Sequence, residues 1–303
     1  MRFIDLFAGI GGFRLGMEKA GHRCVGYIEN DKYARQSYQA IHDTRGEWTA
    51  NDIRAVDPWE LPEADCYTAG FPCQSFSIAG KRGGFKDTRG TLFFEIMRLA
   101  EARKPKYLFL ENVRGLLSHD GGKTFGTILN TLWELGYDAE WQVLNSKNHG
   151  VPQNRERVFI VGYLGGRSGR KIFPITSERR PSVEVKGQHK INQIGNLIDT
   201  DSFGGNPHRG RVYGIDGISP CLNTMGGGGL EPKIAILRPK RHHDFLIRKL
   251  TPKECWRLQG FPDWAFHRAK DAGISDTQLY RQAGNAVTVN VVYEIAKRLK
   301  EAD

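Results

Sequence analysis

Phe3-Ile4-Asp5-Leu6-Phe7-Ala8-Gly9-Ile10-Gly11-Gly12-Phe13-Arg14-Leu15-Gly16 is the stretch from which the fold is read. The apolar run Phe3 to Phe7 predicts a buried strand. The glycines that follow let the backbone turn sharply and approach a ligand closely before a helix over 13–20. Cys24 to Ile28 is predicted as the second strand, ending in Glu29, twenty residues beyond Gly9. A dinucleotide-type α/β fold places there the acid that hydrogen-bonds ribose hydroxyls. Strand, turn, helix, strand and acid in register point to a doubly wound, mostly parallel sheet and a nucleoside-type cofactor. The alternative is a merely tight strand–helix turn. The run departs from GxGxxG and lacks the Lys-Ser/Thr ending of a triphosphate loop, which disfavours ATP.

Outward from this turn, Asp31 to Ile41 is predicted as a helix, with a short strand end at Asn51-Asp52-Ile53. Cys66-Tyr67-Thr68-Ala69 reads as the end of a buried strand, broken at Gly70. Pro72 fixes its own φ and biases Phe71 toward an extended conformation. Cys73 therefore follows a strand's carboxyl end on a stiff turn, where open α/β sheets collect ligands. A thiol so presented reads as a nucleophile, against the plainer reading of a buried small hydrophobe. Next, glycines flank Lys81-Arg82 in a basic loop, suited to closing over a phosphate backbone or simply to the surface. Leu92 to Arg103 has helical spacing, and Tyr107 to Leu110 reads as a buried strand with Glu111-Asn112 at its carboxyl end. Two strand ends thus bring a thiol and a carboxylate to one crevice. Lys123 to Leu135 is an amphipathic helix stopped by Gly136. Strands over Trp141–Asn145 and Val158–Val161 flank Gln153-Asn154-Arg155-Glu156-Arg157. By alternation Arg155 and Arg157 share one side of a strand, facing an oxygen-bearing ligand or plain solvent.

Composition narrows the class. The 303 residues suit one large domain and a smaller one, and 39% hydrophobic residues with 11% aromatics are those of a globular protein. Net charge +10 favours a polyanionic partner, most simply nucleic acid. The 5 cysteines form no CxxC pair and no Cys/His metal spacing, so a reducing interior is expected. No apolar run approaches the roughly eighteen residues that cross a bilayer, and Met1 to Phe7 reads as a strand rather than a leader. Beyond Phe173-Pro174, residues rich in Pro, Gly, Arg and His read as a separate, loop-rich domain. Thr251-Pro252-Lys253-Glu254 supplies an N-cap, a proline at N1 and a capping-box glutamate, and Asn290 to Leu299 a final amphipathic helix.

Taken together, Gly70-Phe71-Pro72-Cys73-Gln74, Asp87-Thr88-Arg89-Gly90-Thr91-Leu92-Phe93-Phe94, Glu111-Asn112-Val113, Gln153 to Arg157 and Gly284-Asn285-Ala286-Val287 resemble the cytosine-5 DNA methyltransferases of bacterial and phage type. The resemblance runs over residues 1–165 and 249–300 and is most specific from Gly70 to Phe94. It implies the S-adenosylmethionine-dependent methyltransferase fold. The implied reaction is methylation of C5 of a flipped cytosine in duplex DNA through a covalent bond from Cys73 to C6, with S-adenosylhomocysteine as the other product. Glu111 would bond N3 and the exocyclic amine, Arg157 the 2-carbonyl while orienting the carboxylate, and Asn112 would fix the adjoining loop, with Arg155 beside them. For the cofactor it implies the turn residues Phe7, Ala8, Gly9, Gly11 and Gly12, then Glu29 on the ribose. Asp52 would meet the adenine amino group and Ile53 pack on its ring, with Pro72, Leu92, Asn285 and Ala286 completing the site. Asn30 also falls there but departs from the apolar or aromatic residue usual after that acid.

The same resemblance implies DNA contacts from Gln74, Ser77, Lys81 and Arg82. Gly217 to Met225 resembles the core of the target-recognition region, bringing in Cys221, Leu222 and Thr224 with His208, Arg209 and Arg211 upstream. Arg211 is the candidate for guanine, and Asn206, His208 or Arg209 for filling the space of the flipped base. The expected division is a catalytic and cofactor domain over 1–174, completed by 266–303, and a target-recognition domain with hinge over 175–265. The expected protein is a metal-independent, cytoplasmic monomer of a bacterial or phage-infected cell, away from membranes, acting on double-stranded DNA with room for a cognate restriction endonuclease. Two rival functions stay open: tRNA cytosine-5 methylation, and a catalytically silent DNA-binding regulator. The intact Pro-Cys-Gln, Glu-Asn-Val and Gln-Asn-Arg-Glu-Arg stretches weigh against the second.

Overall fold

A computed structural model describes residues 1–72, 92–165, 171–176, 190–198, 207–225, 229–237 and 245–302. The chain divides into two compact units. Met1–Leu144, Glu156–Thr176 and Val291–Asp303 form the first, Asn145–Arg155 and Ser177–Asn290 the second. The first contains β1 (Arg2–Leu6), α1 (Gly12–Lys19), β2 (Arg23–Ile28), α2 (Lys32–Ile41), β3 (Trp48–Ala50), β4 (Cys66–Gly70), α3 (Leu92–Arg103), β5 (Tyr107–Val113), α4 (Lys123–Glu134), β6 (Tyr137–Asn145) and β7 (Glu156–Leu164). The second contains β8 (Gln193–Asn196), β9 (Arg211–Gly214), β10 (Lys233–Leu237), β11 (Phe245–Lys249), α5 (Pro252–Leu258), α6 (Asp263–Asp271) and α7 (Asp276–Asn285). Helix α8 (Val289–Ala302) begins in the second and continues in the first.

Among the described residues the first unit carries a 7-stranded sheet in the order β3-β2-β1-β4-β5-β7-β6. Pairings from β3 through β5 are parallel, and β7 runs antiparallel to β5. The chain starts in the middle of the sheet, winds out to β3, then returns to the other side of β1 with β4. That reversal opens a crevice at the carboxyl ends of β1 and β4, the place where such sheets bind ligands. The central strands are apolar runs because helices cover both faces. Phe3, Ile4, Leu6, Tyr67, Ala69, Leu108, Phe109 and Leu110 are buried, each larger side chain worth about 1.5–3 kcal/mol.

Asp5 interrupts this pattern inside β1. Its carboxylate accepts hydrogen bonds from Thr68 Oγ1 at 3.0 Å and Tyr38 OH at 3.5 Å. Burial pushes its carboxyl up to about 8, against those donors and the nearby Arg14.

Two sequence expectations shift. β5 runs on through Glu111, Asn112 and Val113, because those residues pair with Phe159, Val158 and Arg157 of β7. β7 begins at Glu156, so Arg155 precedes the strand and the alternation that put both arginines on one strand face does not apply.

In the second unit the described strands form a 4-stranded sheet, β11-β10-β9-β8. α5 starts as expected: Thr251 caps it, Pro252 sits in its first turn and Glu254 closes the capping box. Trp256 is fully buried and its indole N–H donates to the Leu279 carbonyl at 2.9 Å, tying α5 to α7.

Candidate active site

The turn after β1 bends through three left-handed residues, Phe7 (φ 54°), Gly9 (φ 57°) and Gly11 (φ 84°). Ala8 N–H donates to Ile28 O at 2.9 Å and Gly11 N–H to Ala8 O at 2.8 Å, which closes the turn against β2. Ala8 is buried with Tyr27 and Tyr38, and Gly12 opens α1. The space in front of Gly9 is open, with no neighbouring atom within 4 Å of where a side chain would start. Beside it, the Glu29 carboxylate accepts from Gly9 N–H and Asp31 N–H, both at 2.7 Å. Burial raises its pKa against those two donors. The acid read from spacing therefore faces the turn, with Asn30 exposed after it.

Asp52 caps a short 3₁₀ turn and is held by the Arg54 guanidinium, the closest contact being 2.6 Å. Ile53 is buried. Arg98 of α3 donates to the carbonyls of Ile53 and Val56, each at 3.0 Å, and so ties this loop to the helix that Leu92 begins.

At the same carboxyl edge of the sheet, Arg157 Nε lies 3.0 Å from Glu111 Oε1, the two side chains being 15% and 12% exposed. Glu111 stands opposite Gly70 in the β4–β5 pair. A side chain on Gly70 would meet Glu111 Oε2 at 3.3 Å and Phe13 Cε2 at 3.7 Å, so glycine here lets the carboxylate and the start of α1 converge. Asn112, 2% exposed, donates from Nδ2 to Phe71 O at 2.8 Å and accepts Val113 N–H at 2.8 Å. Phe71 packs on Phe93 of α3, with centroids 5.4 Å apart. The chain leading into the exposed Pro72 is thus pinned from two sides. Cys73, Gln74, Ser77, Lys81 and Arg82 lie outside the described residues. Of the described cysteines, Cys24 and Cys255 are buried, which pushes their thiols up to about 12, and burial raises Cys66 as well. These three are poor sources of thiolate.

In the second unit, Arg155 spreads its guanidinium over main-chain carbonyls. It donates to Leu222 O at 3.1 Å, Gly284 O at 3.0 Å and Ala286 O at 2.9 Å. Leu222 is buried and gives its N–H to Gln153 Oε1 at 3.0 Å, while Gln153 Nε2 donates to Leu258 O at 2.8 Å. Cys221, Thr224 and Asn285 are exposed and Ala286 is buried. His208 and Arg209 are exposed on a short 3₁₀ turn. Arg211 opens β9 with Nη1 3.2 Å from His208 Nδ1. Asn206 lies outside the described residues.

The family profile of the C-5 cytosine-specific DNA methylases matches residues 1–209 and 223–301. The chain belongs to that family. It is 37% identical to the Type II methyltransferase M.HhaI of Haemophilus parahaemolyticus, covering 98% of this chain and 93% of that protein. It is 41% identical to the Type II methyltransferase M.NlaX of Neisseria lactamica, covering 99% and 96%. Among solved structures it resembles the S. pombe Dnmt2 methyltransferase, with a TM-score of 0.75 at 21% identity over 99% of this chain and 98% of that one. At that identity the likeness speaks for the fold.

Three polar side chains of this methylase, the buried Gln153 and Gln259 and the partly buried Arg98, are not signalled by the sequence. Gln153 clamps two backbone segments, Gln259 donates to Ala283 O at 2.7 Å and accepts from Thr288 Oγ1 at 2.9 Å, and Arg98 holds the Ile53 loop. Gln153 lies inside a stretch already singled out, yet nothing in its neighbours says which backbone groups it meets. Periodicity reports faces, and these residues act through carbonyls distant in the chain.

Proposed function

We propose that the chain transfers a methyl group from S-adenosylmethionine to C5 of a flipped cytosine in a specific duplex DNA sequence, with Cys73 as nucleophile and Glu111 and Arg157 as its partners. The observation that carries the reading is the Arg157–Glu111 pair at the carboxyl end of β5, facing the segment that Asn112 pins just ahead of Cys73. The glycine turn with its open front and the Glu29 carboxylate fit a nucleoside bearing a diol, as does Phe7 at the turn's start. Asp52, Ile53, Pro72 and Leu92 would hold the rest of the cofactor. When bound, S-adenosylmethionine offers a methyl group on a sulfonium, an electrophile for carbon, and leaves as S-adenosylhomocysteine.

The protein's part is to make a poor carbon nucleophile reactive. The Cys73 thiolate adds to C6 of the cytosine, which moves electron density toward C5 and N3. Glu111, held by Arg157, meets N3 and stabilises the charge that develops there. Arg157 reaches the 2-carbonyl with the donors its own pair leaves over, and Asn112 ties the Phe71 backbone to the strand that carries Glu111. Arg155 serves as the strut that orders the segments around Leu222 and Ala286. A base then takes the C5 proton and the thiolate is expelled from C6, which restores aromaticity. The base leaves the stack before any of this, since ring carbons are covered in a duplex.

We assign catalysis to residues 1–174 with 266–303 and sequence readout to 175–265, with Arg211 on guanine, His208 or Arg209 near the flipped base, and Cys221, Leu222 and Thr224 shaping the surface. Gln74, Ser77, Lys81 and Arg82 would grip the DNA from the catalytic side. The enzyme works as a monomer in the cytoplasm, and the partner this reading implies is a restriction endonuclease of the same specificity. No helix of the described residues is long and apolar enough to cross a membrane.

Methyl transfer from radiolabelled S-adenosylmethionine, measured on duplex DNA and on tRNA, tests the reading. Label is expected at cytosine C5 of the duplex; label confined to tRNA would replace the substrate, and none in either would leave only a DNA-binding role. Duplex containing 5-fluorocytosine is expected to trap the protein covalently, and peptide mass spectrometry to place the adduct on Cys73.

A further inference from the structure

We propose that His42 is a positioning residue for the cofactor turn, holding it in its receiving conformation by donating Nε2–H to the Ile10 carbonyl. The inference rests on the reading that this turn holds the cofactor. His42 ends α2 in an extended conformation (φ −105°, ψ 149°), and its ring is buried. Nε2 lies 3.4 Å from Ile10 O. A carbonyl oxygen only accepts, so the contact selects the tautomer with its proton on Nε2. The next residue in the turn, Gly11, leaves room for that ring: a side chain there would overlap Nε2. Gly11 is thus a glycine for two reasons, its left-handed φ and the imidazole behind it.

The ring is itself held in place. It packs at 4.5 Å on Tyr38, which stacks at 4.3 Å on Tyr27. Tyr38 OH meets Asp5 Oδ2 and Arg14 Nη1, each at 3.5 Å, and Arg14 is in turn locked to Glu47 at 2.7 Å. The turn residue Ala8 packs in the same cluster. α2 therefore serves the site at both ends. Asp31, its N-cap, gives its N–H to Glu29, and His42, past its last turn, reaches Ile10. The strut joins a rigid aromatic stack to a stretch of backbone that bends through three left-handed residues, where a released carbonyl would let the turn relax into other conformations.

His42→Phe separates the hydrogen bond from the packing, since a phenyl ring fills the place behind Gly11 without a donor. Calorimetric titration of the full chain with S-adenosylhomocysteine, without DNA, reads the effect directly. The Kd is expected to rise about 3- to 10-fold, the worth of one hydrogen bond, with the same rise in KM for S-adenosylmethionine and kcat at saturation nearly unchanged. His42→Gln, whose amide donates from a similar reach, is expected to recover most of the affinity. A Phe variant that binds as wild type overturns the inference, as does a Gln variant no better than Phe, or a fall confined to kcat. Should His42→Phe prove unstable, the Gln variant carries the test alone: affinity near wild type supports the strut, and a loss as large as that of His42→Ala overturns it. A wild-type protein that takes up no S-adenosylhomocysteine sinks the cofactor reading and this inference together.

Discussion

A carboxylate can meet a base only if something holds it still, and at Glu111 that holding is visible atom by atom. Arg157 Nε fixes one oxygen, and the other lies over Gly70, where any side chain would crowd it. Glu111→Gln keeps the shape and removes the charge. It is expected to lower the single-turnover methylation rate by about 10²–10⁴-fold, the range for a positioned acid or base, with DNA affinity little altered. A rate within a few-fold of wild type would reduce Glu111 to an ion-pair partner of Arg157. At the same scale, the proposed DNA contact of Arg211 is either a reader's or an anchor's. Bisulfite sequencing of DNA methylated by Arg211→Ala separates the two: removing a bidentate guanine pair costs about 1–3 kcal/mol and relaxes one position of the motif. Removing a phosphate anchor slows every site alike and flattens the salt dependence.

At the scale of elements, Arg155 shows what a local reading misses. Arg155→Ala strands three carbonyls of the second unit, two of them around α7's end, and is expected to cost about 2–4 kcal/mol in thermal or urea unfolding. An unfolding midpoint like that of wild type would mean water replaces the guanidinium freely. Strands β1, β2, β4 and β5 and the helices between them were legible because apolar runs and helical spacing survive burial on both sheet faces, whereas the partly buried β3 closes at Ala50, before the strand end expected at Asn51-Asp52-Ile53. Glu29 was legible because the spacing from a glycine turn is set by one strand–helix–strand passage. The extension of β5 was not, because Glu111 and Asn112 are polar, and it is pairing with β7, and with Gly70 of β4 at Glu111, that keeps them extended. Arg155 and Arg157 looked equivalent because alternation presumes a strand already begun, and β7 starts between them. His42, Arg98 and Gln153 carry no periodic signal at all; each is defined by a carbonyl far along the chain.

For the whole molecule, the buried Asp5 makes stability depend on pH. Its carboxyl rises from 3.8 to about 8 on folding, so between those values the folded chain keeps a proton that the unfolded chain releases. The stabilisation is complete below the lower value and is lost as pH rises toward the upper one, at up to about 1.4 kcal/mol per pH unit. The raised Glu29 acts in the same direction. Asp5→Asn is expected to flatten the Tm curve on the way up to pH 8, and equal slopes for variant and wild type would show Asp5 ionised in the folded protein. A different consequence follows from how the second unit is drawn from the chain. It takes Asn145–Arg155 as well as Ser177–Asn290, so its residues come from two stretches of gene. Gln153 and Arg155 lie in the short stretch, and the groups they bind, at Leu222, Leu258, Gly284 and Ala286, lie in the long one. A genetic exchange that imports a new long stretch is therefore viable only where the incoming backbone fits the resident glutamine and arginine. Replacement of the long stretch is limited by eleven codons that do not travel with it.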